Sequence, residues 1–523
     1  METVATALTR GMMAAAPNPI AGQIVYLAEA GREGVFKCVT GTVPSDPQQG
    51  LYVSSATSGF YYSRIWDGIN GKPEWFGAIT NGPDCLVALQ ASIALCPVTI
   101  LSNDDYYISA TLKITVEKRT LKGCRGRAQG RFGGTRLIVT GATADVLQIG
   151  TDTLPAGGAD FFLKDVSVSS LTLARSMAPS MSAENVSQPT GLRVKYVLNA
   201  QIEHIFSTEH ALGYYYGGVV ASRIYNCRAF RSIAGGGAID FGWGHYIDGT
   251  LSGVGAGGNA SIYVNTSSSE AATTSISGSV NGLMAIGAFV DTFISDFEAT
   301  RTKKGIYVVG TGAGGGQDSN IDFYVVHPVL DACYDRGIEV ANVSPGGVVS
   351  IVDAYIALAD SVAALACYHI HDGAGSVRIS GGQAICFVNS AAGGNALGVY
   401  ADTQSGLVVS KLAIVASKRP IALLTCTDAD LSPEIENKSV VASEGAVYLT
   451  GSTRVRIVPK ISGGANVFPI GVELAGSGNS RVFVDWTRIQ DSAVSGGSTN
   501  RLKVNGTSYT STGPFPGGVA SGA

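Results

Sequence analysis

Gly305-Ile306-Tyr307-Val308, Gly337-Ile338-Glu339-Val340, Cys367-Tyr368-His369-Ile370 and Gly398-Val399-Tyr400-Ala401 are four versions of one phrase, with middle residues at 307, 339, 369 and 400. The near-constant step is far too long for a hairpin and has the length of one turn of a solenoid. A second apolar-x-apolar triplet follows each phrase: Ile321-Asp322-Phe323, Val349-Ser350-Ile351, Val377-Arg378-Ile379 and, less regularly, Val408-Val409-Ser410. Alternation of this kind turns the outer residues of a triplet inward and the middle one outward. Two short strands per turn, joined by Gly/Ala/Ser connections, predict an all-β chain built as a parallel β-helix, with turns stacked about 4.8 Å apart. The general preference for right-handed parallel crossovers sets its hand.

The same frame extends in both directions. Its middle residues fall at 193, 215, 240, 263, 285, 307, 339, 369, 400, 422, 447 and 473. A chain of 523 residues would ordinarily divide into about three domains, but a solenoid core grows lengthwise and permits one long one. With 68 glycines and only 15% charged residues, the composition suits stacked small side chains and tight turns; at 45% hydrophobic it does not suit disorder.

Net charge is −4 and no run of Lys or Arg occurs, which argues against nucleic acid as a partner. No segment approaches the roughly 18 consecutive apolar residues of a membrane helix, so no membrane insertion is expected. Met1-Glu2-Thr3 opens without the basic and apolar regions of a cleaved export signal. Nine cysteines without a CxxC spacing read as buried free thiols rather than a zinc or disulfide scaffold.

Residues 1–75 read as a small β module, in which Gln23-Ile24-Val25-Tyr26, Gly34-Val35-Phe36-Lys37-Cys38 and Leu51-Tyr52-Val53 alternate with turns such as Pro44-Ser45-Asp46-Pro47. Residues 76–475 read as the β-helix, with a helix near 84–95 whose Leu86, Leu89 and Ile93 share a face and whose start Asp84 can cap. Between Ala174 and Pro189 a polar loop projects from one unusually long coil. From Gly476 the period is lost, and 476–523 read as a small capping or inter-chain pairing module.

Gly31-Arg32-Glu33-Gly34-Val35-Phe36, Arg64-Ile65-Trp66-Asp67-Gly68 and Glu74-Trp75-Phe76-Gly77-Ala78 resemble the module that precedes the β-helix in bacteriophage tailspike proteins. The stretches from Ala88-Leu89-Gln90-Ala91-Ser92-Ile93 to Leu121-Lys122-Gly123 look like the opening of the pectate-lyase-like right-handed β-helix of tailspikes and polysaccharide depolymerases. The usual second acidic residue before the helix and the customary Pro-x-Gly turn are absent. The resemblance, over about residues 20–475, implies a homotrimer in the virion tail that adsorbs to a host. Its substrate would be a bacterial surface polysaccharide, and its N-terminal module would bind other tail or baseplate proteins. A non-enzymatic receptor-binding fibre is the alternative, and an esterase lacks a Gly-x-Ser-x-Gly elbow.

The middle residues form an outward ladder of candidate glycan contacts: Arg193, Tyr215, Tyr263, Tyr307 and Tyr400, with Asp240, Glu339 and His369 as candidate catalysts among them. The densest cluster is Asp240-Phe241-Gly242-Trp243-Gly244-His245-Tyr246-Ile247-Asp248. There Asp240 and Asp248 could act as an acid–base pair, with Trp243, His245 and Tyr246 holding the sugar; an inverting glycosidase needs such carboxylates about 6.5–9.5 Å apart. Asp248-Gly249 also reads simply as a turn. The second cluster sets Glu339 beside His369 one coil later, bracketed by Tyr307 and Tyr400, with Asp322 and Arg378 on the neighbouring strand. An Arg that neutralises a uronate and a His or Tyr that removes the adjacent proton would serve a lyase. The sequence favours the Asp240 cluster slightly. His369-x-His371 lacks a third ligand at a metal-site spacing, so neither metal nor cofactor is expected.

Overall fold

The computed structural model describes residues 4–124, 134–176, 188–231, 242–251, 259–271, 280–310, 321–359, 364–386, 396–416, 419–437, 445–462, 470–475, 479–485, 502–504, 507–509 and 519–522. Asp240 lies outside them. The chain forms a right-handed parallel β-helix divided into two compact units, residues 1–180 with 187–210, and residues 181–186 with 211–523.

In the first unit, five strands between Ala5 and Arg64 make a sheet with its own core of Met13, Val25, Leu27, Phe36, Val53 and Tyr62. Coiling then begins. Asn70–Gly71 pairs in parallel with Val98–Ile100; Asp105–Ile108 and Leu112–Ile114 follow, and the three stacks are continued by Thr120–Lys122, Arg136–Val139 and Leu147–Gly150. The helix spans Leu86–Leu95 and buries Ala88, Leu89, Ser92 and Ile93. Asp84 accepts from the Leu86 amide at 3.0 Å and the Ser109 amide at 3.1 Å, so it fixes the helix start to the first coil.

In the second unit turns carry up to three strands where the sequence predicts two, and in Leu407–Ala416 the second and third run together as one strand paired with both Ser376–Ser380 and Gln383–Cys386. One turn runs through Lys304–Val309, Ile321–Val326 and Val329–Cys333; the next through Arg336–Ala341, Val348–Val352 and Tyr355–Leu358. The third strand is short, and apolar residues that face out, Val329 and Tyr355, stand beside the inward Leu330 and Ile356, so it has no clean alternation to be read as a strand. Turn residues with positive φ separate the second and third strands: Asn226 (φ 50°), Asp296 (φ 51°), His327 (φ 50°) and Asp353 (φ 50°).

On the first sheet two inward rows, Ile306, Ile338, Tyr368 and Val399 beside Val308, Val340, Ile370 and Ala401, have no accessible surface and fill the lumen. Each Ile or Val among them contributes about 1.5–3 kcal/mol by burial. The glycine of the repeated phrase is there for space: a Cβ on Gly305 would lie 2.6 Å from the Gly337 carbonyl oxygen, and one on Gly398 2.8 Å from that of Pro420.

The outward row between them reads Tyr215, Tyr246, Met284, Tyr307, Glu339, His369, Tyr400, Ala422, Tyr448 and Glu473. From 307 to 422 this is the predicted register. Ala285 and Val447 instead face the lumen, and Met284 and Tyr448 take their places. In Leu283-Met284-Ala285-Ile286 every residue is apolar, so alternation leaves the frame undetermined. Tyr263 belongs to a different row, paired with Arg223 and Phe293 on the second sheet. Parallel pairing continues past residue 475, with Ser480–Asp485 on Thr453–Ile457 and Leu502–Val504 on Ile470–Ala475. No helix among the described residues is long and apolar enough to cross a membrane.

Candidate functional site

Three adjacent coils of the first sheet converge on one carboxylate. Glu339, on Arg336–Ala341, is 4% exposed although it points away from the lumen. Lys304, from the coil before, places Nζ 2.8 Å from Oε2, and Arg336 approaches the same oxygen at 3.5 Å. From the coil after, His371 sets Nε2 3.2 Å from Oε1 and His369 sets Nδ1 3.7 Å from it. Arg336 also pairs with Asp335 at 3.0 Å, and His371 Nδ1 lies 2.7 Å from Asp372 Oδ2. The rings of His369 and Tyr400 stack at 4.9 Å, and the Lys304 ammonium lies 4.4 Å from the centre of the Tyr307 ring.

The electrostatics follow from this crowding. Burial pushes the Glu339 carboxyl up, but His369, His371 and Lys304 outweigh it and hold the group well below the usual carboxylate range. It is an anion at neutral pH and no proton donor. His369 is shifted down, first by burial and then by nearby His371 and Arg336, against the pull of Glu339. Its imidazole is therefore neutral at pH 7. His371 moves up because it faces Glu339 and Asp372, against burial. Burial and nearby Asp402 raise the Tyr400 phenol, which keeps its proton. The site thus holds a neutral base, a protonated phenol and two cations around a fixed anion. Glu339, His369 and His371 also present donor atoms that all lie within 4.8 Å of one another.

The other predicted site residues are placed differently. Tyr215, Trp243 and Tyr246 face outward, but Leu212, Tyr215, Trp243, Tyr246 and Met284 pack into an apolar cluster and are buried. Tyr215 and Tyr246 stack at 5.9 Å and 18°, and Trp243 and Tyr307 at 6.4 Å and 25°. Rings one and two coils apart cover one another's faces, so this stretch packs rather than displays its aromatics. Asp248, 2% exposed, accepts from the Tyr215 hydroxyl at 2.7 Å and from the amide and hydroxyl of Thr250 at 2.9 and 2.6 Å. That is the turn reading, and these bonds explain its burial. His245 faces the lumen, stacked on Tyr214 at 4.5 Å; burial pushes its pKa down to about 3.

Arg193, in the first unit, is held by Asp145 at 2.5 Å, the Gln188 carbonyl at 3.0 Å and the Thr190 hydroxyl at 2.8 Å, so it is a structural cation rather than a displayed one. Tyr263 is 41% exposed and heads a stack with Phe293 (5.3 Å) and Tyr324 (4.6 Å from Phe293). Asp322 and Arg378 stand on this second sheet, and Arg378 bonds to the Ser376 hydroxyl. Neither is a partner of Glu339. Sequence reasoning missed Lys304, Arg336 and His371 as members of the cluster. The signal was present, since Lys304 and Arg336 occupy the same place before the repeated Gly-Ile, and Glu339 is one coil from the His369-x-His371 pair that lacked a third ligand.

No family model and no curated protein matches the sequence. Solved structures do. A mutant tailspike of Escherichia coli bacteriophage HK620, in complex with a hexasaccharide, superposes with a TM-score of 0.58 at 11% identity, over 86% of this chain and 81% of that one. A second mutant of the HK620 tailspike, with a pentasaccharide, gives 0.52 at 11% identity over 88% and 83%. The fold is that of the phage tailspikes. On this coil the Glu339 cluster occupies the outer face of the first sheet, and the lumen rows hold its members in register.

Proposed function

We propose that this protein is a phage tailspike that binds a bacterial surface polysaccharide and cleaves it by elimination next to a uronic acid, with its centre at Glu339, His369 and Tyr400. The observation that carries the reading is the Glu339 cluster itself: a buried anion facing the outside, with a neutral imidazole, a protonated phenol and two cations on four consecutive coils. The Glu339 anion, 3.7 Å from His369 Nδ1 and too far for a hydrogen bond, favours the ring proton on that nitrogen by its charge, which leaves Nε2 to accept the proton alpha to the substrate carboxylate. Arg336 and Lys304 supply positive charge for the enolate that develops, and the phenol of Tyr400 donates to the departing glycosidic oxygen as the C–O bond breaks. A glycosidase would need a carboxylic acid that stays protonated, and a carboxyl held as low as Glu339 does not provide one.

The fold supports the biological setting. The HK620 tailspike structures contain oligosaccharides, and on the present reading this chain acts in the virion tail as a homotrimer. Residues 1–75 attach it to other tail proteins and residues 476–523 close the far end. The test is product chemistry on surface glycans of candidate hosts. Cleavage is expected to release unsaturated uronic ends that absorb in the ultraviolet, and carboxyl-reduced glycan should resist. Reducing ends without unsaturation would replace elimination by hydrolysis, and adsorption without any product would leave a receptor-binding fibre.

A further inference from the structure

We infer that Glu339, His369 and His371 form a binding site for a divalent first-row metal ion, with zinc as the reference ion. The site joins two coils: Glu339 comes from one strand and both histidines from the next, where the register sets Glu339 beside His369 and Ala341 beside His371. Alternation puts His369 and His371 on the same outward face, with their rings stacked 4.3 Å apart. Two ring nitrogens therefore approach a single oxygen, Oε1, from one side, His371 Nε2 at 3.2 Å and His369 Nδ1 at 3.7 Å. Donors bound to zinc at about 2.1 Å stand about 3.4 Å apart in tetrahedral geometry. These spacings already match.

Two further observations point to a ligand. His369 is 8% exposed, and its Nδ1 is buried without a hydrogen-bond partner. A buried polar atom in that state costs about 1–3 kcal/mol, which an ion accepting its lone pair would remove. His371 has its other ring nitrogen 2.7 Å from Asp372 Oδ2. Nε2 faces Oε1 at 3.2 Å, and an ion between them would take the place of the proton that links them while Nδ1 keeps its proton toward Asp372; carboxylate–imidazole–metal is a recurrent outer-shell arrangement. Imidazole and carboxylate donors select zinc, copper, nickel or iron over calcium or magnesium. Lys304 and Arg336 oppose the ion by their charge, but both engage Oε2 and leave Oε1 for it.

The inference goes beyond the proposed cleavage, since binding is measured with no glycan present. On that reading it adds a form of control: an ion on Nδ1 forces the remaining proton onto Nε2, so zinc-loaded protein lacks its base and does not cleave. The full-length protein, stripped with chelator and titrated with zinc alone by calorimetry, should bind one ion per chain with micromolar affinity or better. Cobalt(II) should give the visible absorption of a site with nitrogen ligands. His371→Asn, checked for a native circular dichroism spectrum, should weaken zinc at least a hundredfold, and Lys304→Met should tighten it about tenfold by removing an opposing charge. No zinc uptake by the wild type, or equal uptake by folded His371→Asn, would overturn the assignment. Zinc uptake together with undiminished cleavage would keep the site and refute His369 as the base.

Discussion

Replacing Glu339 by Gln keeps the side chain's size and removes its charge, and the structure sets the consequence. The carboxylate side chain is 5% exposed, and its partners Lys304 and Arg336 are each 20% exposed. Removing one partner of a fully buried pair costs about 3–5 kcal/mol. Here the stranded cations retain some water, and Arg336 keeps Asp335, so the expected loss is about 2 kcal/mol. Much of that loss is the penalty of leaving Lys304 unpaired. Lys304→Met in the Glu339→Gln background should therefore restore about 1 kcal/mol, a coupling between residues in contact. Guanidinium unfolding monitored by circular dichroism measures all three variants against the wild type. A loss below about 0.5 kcal/mol for the single variant, with additive behaviour in the double, would mean that Glu339 is solvated and the cluster as described does not exist.

Two further outcomes follow from the same contacts. His245, fully buried with its pKa pushed down to about 3 from an ordinary 6.5, binds a proton in the unfolded chain but not in the folded one between those values. Stability must then fall as pH drops through that window, by up to about 1.4 kcal/mol per pH unit from this group, and His245→Leu should flatten the acid limb of the unfolding profile against wild type; parallel profiles would refute the lumen placement. Asp248→Asn should lower stability by about 1–2 kcal/mol through its bonds to Tyr215 and Thr250 yet leave turnover within about threefold, and a loss of a hundredfold in turnover at unchanged stability would return the active centre to the Asp248 cluster.

How much of this was legible depended on what alternation could resolve. From Tyr307 to Tyr400 each rung sets one polar or aromatic residue between two lumen residues, and a period-2 reading of a single chain placed those rungs correctly. At Leu283-Met284-Ala285-Ile286 the pattern is apolar throughout, so only the stacking of neighbouring strands fixes which residue faces out. The Glu339 and His369 pairing is readable because one coil separates them in sequence; Lys304 and Arg336 share a place before the repeated glycine, but they lie outside the apolar-x-apolar triplet, so alternation does not say which way they point. The ladder's aromatics misled for a different reason. Exposure was inferred from direction, but Tyr215, Trp243 and Tyr246 point outward and still bury one another, an effect of side-chain size across coils that no single strand reveals.

The most direct measurement is the rate at which unsaturated uronic ends form on an acidic surface polysaccharide, at saturating glycan, for the wild type, Glu339→Gln and Asp248→Asn. The account predicts that Glu339→Gln falls by about 10²–10⁴-fold, the range for a disrupted acid–base centre, while Asp248→Asn stays near wild type and all three proteins still adsorb to the glycan. Wild-type turnover in Glu339→Gln would contradict it.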